Sequence, residues 1–278
     1  MRKVSLLLLA VALISLPAFA QTTDFSGEWS NRNHEDATDR IGGPPIGDYL
    51  GFALNDAGRL RAQSWDGGEW SLPEFQCRPH LAPYDWRAAG DLQIMKEIDP
   101  VSRGLTAYHI RRIRTMDRTI YVDGRPHPPE YAAHTWEGFS TAQFDGNILT
   151  VTNSHIKEGY LRRNGVAFSE KVKSTEYLIR HGDYLTVVGF VDDPVYLEEP
   201  WIFSVNYQLN IHTQLTYFPC TVIEDENITR VVPHHLPGKN PYLTEWLAKD
   251  GVPAEAAEGR RETLYPEYQS KMKRSPSN

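Results

Sequence analysis

The chain has 278 residues, a net charge of −7 at pH 7 and 40% hydrophobic residues. This length is enough to bury a substantial core in one β-rich domain or in two small domains. The acidic balance argues against nucleic acid or an anionic membrane surface as a partner, because both require a basic protein face.

The N-terminus has the pattern of a secretory signal peptide. Basic residues at positions 2 and 3 precede an apolar run over 6–16, and residues 18–20 match an A-x-A cleavage site. The apolar run is shorter than the roughly 20 residues of a membrane-spanning helix. We therefore expect removal of residues 1–20, with cleavage after Ala20, no membrane span, and a periplasmic or secreted protein.

The chain contains two cysteines, Cys77 and Cys220. In an oxidising compartment an even pair favours one disulfide, whereas two buried thiols are the alternative. A disulfide would close a loop of more than 100 residues, which contributes roughly 4–5 kcal/mol to stability in the chain-entropy model.

In the first part of the chain, long loops surround one predicted strand and one predicted helix. A first strand with a Gly-x-Trp sequence is predicted over 24–29, and a helix is predicted over 55–64. Residues 31–54 and 65–89 are rich in Gly, Pro, Asp and Asn, which predicts loops.

From Leu92 onward the pattern is that of short strands separated by turn residues. Strands are predicted over 91–98, 105–114, 118–122, 185–191 and 203–215, and hairpin turns at 146–147 and 182–183. We interpret the arginines at 111, 112, 114 and 118, which alternate along a strand, as a solvated face. The regular spacing favours a mainly β fold, an antiparallel barrel or sandwich with long loops.

The C-terminal part has a helical pattern instead. Leu243, Trp246 and Leu247 are spaced for one apolar stripe, and Pro253 suits a first helical turn. We predict a single β-rich domain over 21–232 and a helical extension over 233–278, packed as a strap on the outside of the barrel.

The first hairpin predicts a face of graded polarity. A two-residue turn at Gly146-Asn147 places Phe144 opposite Leu149 and Gly138 opposite His155. Side chains of this face are apolar near the turn and polar at the open end, where His134 joins them. Its members are Trp136, Ser140, Ala142, Phe144, Leu149, Val151, Asn153, His155 and Lys157. Such a face suits a pocket for a partly polar ligand, although a packed core with a wet rim has the same pattern.

Two loops beside this hairpin carry further candidate ligand contacts. The loop over 123–130 is stiffened by three prolines and presents Arg125 and His127. The loop over 157–164 is basic, so it either binds a carboxylate, sulfate or phosphate group or is a solvated surface. The predicted ligand-binding residues are Arg125, His127, His134, Trp136, Phe144, Asn153, Lys157, Arg162 and Arg163.

The histidines and glutamates permit two chemical hypotheses, neither of which rests on a linear sequence motif. His155 with Glu137 or Glu176 could form a general-base dyad. His134, His155 and Glu176 could form a two-His-one-carboxylate metal site if the fold assembled them. Because no zinc-protease motif, nucleophile elbow or phosphate loop is present in the sequence, we predict no metal and no cofactor. The candidate catalytic residues are His155, Glu137 and Glu176.

The second hairpin places Glu176 and Arg180 on one face with Leu178, Leu185 and Val187. Two interpretations of this carboxylate and guanidinium stay open. They either form a structural pair at a barrel end or contact a ligand.

Several segments resemble an uncharacterised family of secreted bacterial proteins. They are DFSGEW, QCRPH, DGRPHPPEYAAHTWEGFST, HIKEGYLRRNG, EYLIRHGDYL, DDPVYLEEP and VPHHLPGKNPYL with the late YPEY. The Gly-x-Trp start and the succession of strands also resemble the lipocalin and calycin superfamily. That resemblance implies an up-and-down antiparallel barrel with a central pocket.

Three functional hypotheses follow. The first is a periplasmic or secreted barrel that binds a small, partly apolar molecule in a central pocket with a mouth rich in His, Arg and Lys. The second is an enzyme in the same barrel, an isomerase, cyclase, dehydratase or hydrolase that uses His155 with a carboxylate. The third is an envelope interaction protein without a small-molecule site.

Overall fold

In the part of the chain that the structure describes, eleven strands account for most of the regular structure. They are β1 (Gly27–Asn31), β2 (Leu92–Ile98), β3 (Leu105–Arg112), β4 (Arg118–Tyr121), β5 (Phe139–Asp145), β6 (Ile148–Ser154), β7 (Gly159–Tyr160), β8 (Ala167–Phe168), β9 (Lys173–His181), β10 (Tyr184–Asp192) and β11 (Trp201–Leu209). Nine of them form a closed barrel in the order β1-β11-β10-β9-β6-β5-β4-β3-β2, while β7 and β8 pair separately. The predicted mainly β barrel is confirmed.

The computed structural model describes residues 23–35, 44–49, 51–88, 90–112, 117–212, 215, 220–223, 231–258, 263 and 265–270. The predicted signal peptide lies outside these residues. So do the ends of two predicted strands, at 113–114 and 213–214.

One pair of barrel neighbours, β4 and β5, is parallel, and the remaining pairs are antiparallel. Strand directions cannot alternate all the way round a closed barrel with an odd number of strands, so nine strands require a parallel pair. A parallel pair also needs a crossover connection. Residues 122–138, here named the outer crossover, make this connection along the outer surface of β5 and β6. The fully antiparallel barrel implied by the lipocalin resemblance is therefore wrong at this pair.

The predicted hairpin registers are correct in both cases. Phe144 pairs with Leu149 and Ser140 with Asn153 in the first hairpin. In the second, Glu176 pairs with Gly189 and Leu178 with Val187. The first register ends at the Phe139–Ser154 pair, before the predicted pairing of Gly138 with His155 is reached.

Helices are short and lie in the loops and the C-terminal extension. They are α1 (Asp56–Gln63), α2 (Pro73–Gln76), α3 (Ala82–Asp85), α4 (Glu245–Asp250), α5 (Ala254–Glu258) and α6 (Pro266–Gln269). The predicted helix over 55–64 is confirmed, and its first residue caps it, since the Asn55 side chain accepts a 2.9 Å hydrogen bond from the Gly58 amide. In the described part of the chain, no helix has the length and apolarity needed to span a membrane.

The segment after α3 closes one end of the barrel and fills its interior. Trp86 is fully buried, and its ring packs against Tyr207 of β11 at a centroid distance of 6.3 Å. Arg112 of β3 donates hydrogen bonds of 2.8, 2.7 and 2.7 Å to the carbonyls of Asp85, Ala88 and Gly90. The middle of the barrel is thus occupied by side chains, so the predicted central pocket is wrong in its position.

The described part of the C-terminal extension packs on the α1 region rather than directly on the strands. Asn240 donates hydrogen bonds to the carbonyls of Gln63 and Trp65. Trp246 and Leu247 are buried, as the predicted apolar stripe requires. The strap is helical as predicted.

Cys77 and Cys220 form a disulfide, with their Cα atoms 5.5 Å apart. The predicted pairing is confirmed. Cys77 directly follows α2, so the bond fixes the end of this helix to the C-terminal half of the chain.

Candidate functional site

A buried polar cluster lies at the closed end of the barrel. Arg118 of β4 makes a two-pronged ion pair with Glu176 of β9, with N–O distances of 2.8 and 3.3 Å. Its Nε atom donates to Ser140, 3.1 Å away, and its Nη2 atom donates to Asn153. Asn153 in turn donates a 2.7 Å bond to Ser174. Glu176 and Asn153, both predicted site residues, therefore lie together, but they bind an arginine and each is almost inaccessible to solvent.

The prediction of a solvated arginine face is wrong for two of its members. Arg112 and Arg118 are 3% and 4% exposed, respectively. Only Arg111 lies outside among the described members, where it pairs with Asp117 at 2.6 Å. The strand period explains this result, because Arg112 lies two residues after the buried Ile110 and therefore on the same face.

A small void separates this cluster from the outside of the barrel. Its volume accessible to water is only about 10 Å³. The residues that line it are Pro79, His80, Ala82, Asp85, Arg118, Trp136 and Glu137. Asp85 and Glu137 thus line one narrow, partly open space together with Arg118.

Asp85 is a buried acid with unusual surroundings. It is 4% exposed, and its Oδ1 atom has no hydrogen-bond donor among the residues that the structure describes. The nearest cation, Arg112 Nε, is 3.8 Å from this oxygen, which is too far for a hydrogen bond. Burial raises the pKa of Asp85 to about 6, because it outweighs the opposing effect of Arg112 and Arg118.

Outside the void lies a larger cleft, here named the mouth cleft. It consists of two overlapping cavities with empty volumes of about 740 and 630 Å³, including their opening. Both cavities are lined by Glu69, Phe75, Arg78, Trp136, Glu158, Gly159 and Tyr160. The void and the mouth cleft share Pro79, His80 and Trp136, so these residues form the wall between them.

Gly159 allows the floor of the mouth cleft to form. A Cβ atom at this position would lie 2.7 Å from the ring of Phe168 and 2.8 Å from the side chain of Leu81. Both neighbours are buried, so neither can move away easily. Glycine therefore lets β7 pack closely on the segment before α3.

Aromatic rings and cations alternate along one wall of the cleft. The Arg78 guanidinium lies 3.6 Å from the Phe75 ring centroid and 5.4 Å from that of Trp136. Lys157 Nζ lies 4.6 Å from the same Trp136 ring. Arg78 donates one hydrogen bond, from Nε to the carbonyl of Glu74. Within the described part of the chain its Nη groups have no acceptor, so they are available to an anionic ligand.

The opposite wall is a ladder of alternating acids and donors. Tyr160 donates a 2.7 Å hydrogen bond to the buried Glu69, and Arg61 donates to the Tyr160 hydroxyl at 3.4 Å. Arg61 also pairs with Glu158, with a shortest distance of 2.9 Å. Burial raises the pKa of Glu69 and of Tyr160. This ladder holds Tyr160 in place as a fixed polar group of the cleft.

The structure brings together four of the nine predicted ligand-binding residues. Trp136, Lys157, Arg162 and Arg163 line the mouth cleft. Asn153 is inside the barrel, and Phe144 packs on Phe25 near the far end, at a ring distance of 6.4 Å. The remaining three, Arg125, His127 and His134, belong to the outer crossover.

The outer crossover places Arg125, His127 and His134 away from the cleft. Arg125 pairs with Asp123 and stacks 3.6 Å from the ring centroid of Tyr121. His127 lies between two hydroxyl groups of the outer barrel face, those of Thr141 and Ser154, each 2.8 Å away. The His134 ring lies 5.4 Å from that of His155.

The predicted dyad of His155 with Glu137 or Glu176 is not formed. His155 has a positive φ of 57°, which histidine tolerates better than most residues, and Gly138 has a φ of 69°. These two residues end the hairpin register, and the His155 ring turns outward. Its nitrogens contact Ser154 Oγ at 2.7 Å and the carbonyl of Pro129 at 3.0 Å.

A chain of hydrogen bonds links both histidines to the barrel. With both rings neutral, one proton assignment satisfies every member. Thr141 donates to His127 Nε2, and His127 Nδ1 donates to Ser154. Ser154 then donates to His155 Nδ1, while His155 Nε2 donates to Pro129. The chain fastens the outer crossover to β5 and β6.

Replacing His127 with Ala is expected to lower the free energy of unfolding by about 1–3 kcal/mol, because two partly buried hydrogen bonds are lost. Burial lowers the pKa of His127, and His155 and Lys173 act in the same direction. The unfolded state then binds more protons, so this contribution is present above about pH 6.5 and declines as the pH falls. Urea unfolding at about pH 7.5 and about pH 5 should show the larger loss at the higher pH.

The matched control is His181→Ala, at an exposed position of the β9–β10 turn. Its effect should stay within about 0.5 kcal/mol at both pH values. Equal destabilisation by both substitutions would contradict the role of His127.

The site residues that sequence reasoning missed lie mainly between 61 and 85. They are Arg61, Glu69, Phe75, Arg78 and Asp85, with Arg118 and Tyr160 from later segments. Arg61 lies in the predicted helix α1, whereas the other four lie in or beside helical turns of four or five residues, which give no periodic signal. For Arg118 the signal was available, since it lies two residues before the buried Ile120 on the same strand face.

The optional metal set of His134, His155 and Glu176 is not assembled, because Glu176 faces the barrel interior and binds Arg118. Among the residues that the structure describes, no three His, Cys, Asp or Glu side chains are grouped as metal ligands. Comparison with known proteins finds no family model, no curated protein and no solved structure that matches the chain.

Proposed function

We propose that this protein binds a small organic acid with an aromatic or apolar body in the mouth cleft. The observation that carries the proposal is the arrangement of Arg78 between the rings of Phe75 and Trp136. The A-x-A sequence at residues 18–20 and the disulfide support a periplasmic or secreted location.

The size and lining of the cleft suit such a ligand. The larger cavity has a water-accessible volume of about 340 Å³, which lies at the lower end of the range for small-molecule sites, and the smaller one adds about 60 Å³. Phe75, Trp136 and Tyr160 offer aromatic faces, and Trp70 lies at the edge with 44% of its surface exposed. A flat apolar body can stack on these rings, while fixed polar groups set its orientation.

The charges of the cleft favour an anionic group. Five cations contribute to the two cavities, namely Arg61, Arg78, Lys157, Arg162 and Arg163. Three carboxyl groups line the same cavities, and they are Glu69, Glu158 and Glu170. Arg61 is already paired with Glu158. Arg78 is well placed for a ligand carboxylate, because its one hydrogen bond within the described part of the chain uses Nε and a guanidinium binds carboxylate oxygens two at a time.

The test uses 3-phenylpropanoate, an aryl carboxylate, as the probe. Titration followed by tryptophan fluorescence and by calorimetry should show saturable binding at one site. Replacing Arg78 with Ala should weaken binding by roughly tenfold to a hundredfold, since one charge-assisted hydrogen-bond pair contributes about 1.5–3 kcal/mol.

Arg125→Ala supplies the matched control. Arg125 also stacks 3.6 Å from an aromatic ring centroid, but on Tyr121 and outside the cleft. The Kd of the probe should be unchanged in this variant. Absence of saturable binding to the unmodified protein, or equal loss in both variants, would overturn the proposed function.

A further inference from the structure

The outward sides of β6, β9, β10 and β11 form a surface without charged side chains, here named the neutral face. In these strands buried residues alternate with outward ones, which defines the face. Charged residues make up 23% of the chain, so ten outward positions would carry about two of them by chance. None of the ten is charged. They are Thr150, Thr152, Thr175, Tyr177, Ile179, Thr186, Val188, Phe190, Ile202 and Ser204.

The middle of the neutral face is apolar and accessible to solvent. Phe190 is 38% exposed and Ile202 is 57% exposed, and the two are direct cross-strand partners. The Tyr177 ring packs edge-on against that of Phe190 at a centroid distance of 5.8 Å. Val188 is the cross-strand partner of Tyr177, so the four side chains are contiguous. A contiguous exposed apolar surface of this kind is typical of an interaction site.

Charges border the neutral face at its ends. At one end Lys173 and Asp192 are exposed and are direct cross-strand partners. Among the residues that the structure describes, neither of them forms an ion pair. At the other end Asn206 donates a 2.7 Å hydrogen bond to Glu35, so the face ends there.

We propose that two copies of this chain associate through the neutral face, about a two-fold axis that runs along the gap between β9 and β10. Such an axis places β9 of one copy opposite β10 of the other, at the same height along the strands. Because Lys173 and Asp192 lie at one height, the ammonium group of each copy faces the carboxylate of the other. The interface then contains the same ion pair twice, as the symmetry of a homodimer requires.

A second copy suits this face because of its charge pattern. Each chain carries a net charge of −7, so contacts between charged surfaces of two copies are on balance repulsive. The neutral face brings two copies together without such contacts, and the Lys173–Asp192 end is complementary to itself. Aligned packing of two sheets about 10 Å apart leaves room for the outward side chains to interdigitate.

The small size of the neutral face sets the expected affinity. Its ten side chains are fewer than the roughly 20–30 residues per partner of a stable complex. We therefore expect a reversible dimer with a Kd of roughly 1–100 μM. None of the ten lines the mouth cleft, so the inference goes beyond the proposed function and does not depend on it.

The first experiment is sedimentation velocity of the unmodified protein between about 1 and 300 μM, a range that brackets the expected Kd. The sedimentation coefficient should rise from that of a monomer to that of a dimer. Ile202→Glu should raise the Kd by more than about tenfold, because it buries a carboxylate in the apolar centre. Val101→Glu is the matched control, since Val101 is 90% exposed in the β2–β3 turn, and it should leave the Kd unchanged.

A charge exchange tests the two-fold axis itself. Lys173→Glu places two carboxylates opposite each other, and Asp192→Lys places two ammonium groups opposite each other. Each variant alone should dimerise about tenfold more weakly than the unmodified protein. An equal mixture of the two variants should form a heterodimer with the original affinity, because both opposed pairs are then of unlike charge.

Circular dichroism establishes that each variant is folded. If Ile202→Glu fails to fold, the charge variants decide, because both positions are exposed. A monomer at every concentration overturns the proposal and leaves the face to another segment of the chain or to a different partner. Equal dimerisation of the Ile202→Glu and Val101→Glu variants locates the contact elsewhere and also overturns it. Weaker dimerisation of both charge variants without recovery in their mixture overturns the two-fold arrangement.

Discussion

Replacing Glu176 with Gln should lower the free energy of unfolding by about 3–5 kcal/mol, because Arg118 would then be a buried charge without its counter-ion. The side chains of Arg118 and Glu176 are 4% and 0% exposed. Solvent cannot replace the lost carboxylate at this depth. Guanidinium unfolding followed by circular dichroism would measure the change.

The matched control is Asp117→Asn. Asp117 makes an equally short ion pair with Arg111, but their side chains are 48% and 42% exposed. This substitution should change stability by less than about 1 kcal/mol. The double variant Arg118→Met with Glu176→Leu should recover much of the loss, since it removes both charges. A small effect of Glu176→Gln, comparable with that of Asp117→Asn, would contradict the buried pair.

Removal of the disulfide by Cys77→Ser with Cys220→Ser is expected to destabilise the protein by about 5 kcal/mol. The bond joins residues 143 positions apart, and in the chain-entropy model a loop of this length contributes about that amount. The expected result is a lower denaturation midpoint without loss of the barrel's β-sheet signal in native buffer.

Reduced wild-type protein serves as the control for this double variant. Addition of dithiothreitol should lower its midpoint to that of the variant, whereas the variant itself should not respond. A variant as stable as the oxidised protein would show that the unfolded chain gains little freedom when the bond is absent. The unfolding midpoint also reports on how firmly the segment that lines the cleft is held, because Cys77 lies next to Arg78 and two residues after Phe75.

The barrel could be predicted from sequence because strands leave a local signal. The Gly-Asn and Gly-Asp turns set the two hairpins, and alternation then fixed the partners of Phe144 and Leu178. What could not be predicted is the direction of β5 relative to β4. That choice depends on the closure of nine strands, which is a property of the whole barrel and not of any segment.

The site was predicted only in part for a related physical reason. Trp136 and Lys157 were found because they follow or precede strands of a recognisable hairpin. Asp85 and Arg78 come from residues 73–88, where proline-rich turns show no period. Only the folded chain brings Arg78 to the mouth cleft and Asp85 to the void beside it. His155 was placed inside by the extension of a correct register. Because the backbone of His155 is in the left-handed conformation, its ring lies outside the barrel instead.

The parallel β4–β5 pair and the β1–β11 pair divide the barrel into two contiguous shells. The strands β1 to β4 form one shell, and β5, β6, β9, β10 and β11 form the other. The backbone joins them through the outer crossover, where Tyr131 is 91% exposed, and the disulfide joins them a second time. A protease cut in that crossover would therefore leave a two-chain protein with every barrel strand paired. In topological terms, the molecule consists of two half-barrels that belong to one polypeptide and are also joined by a disulfide.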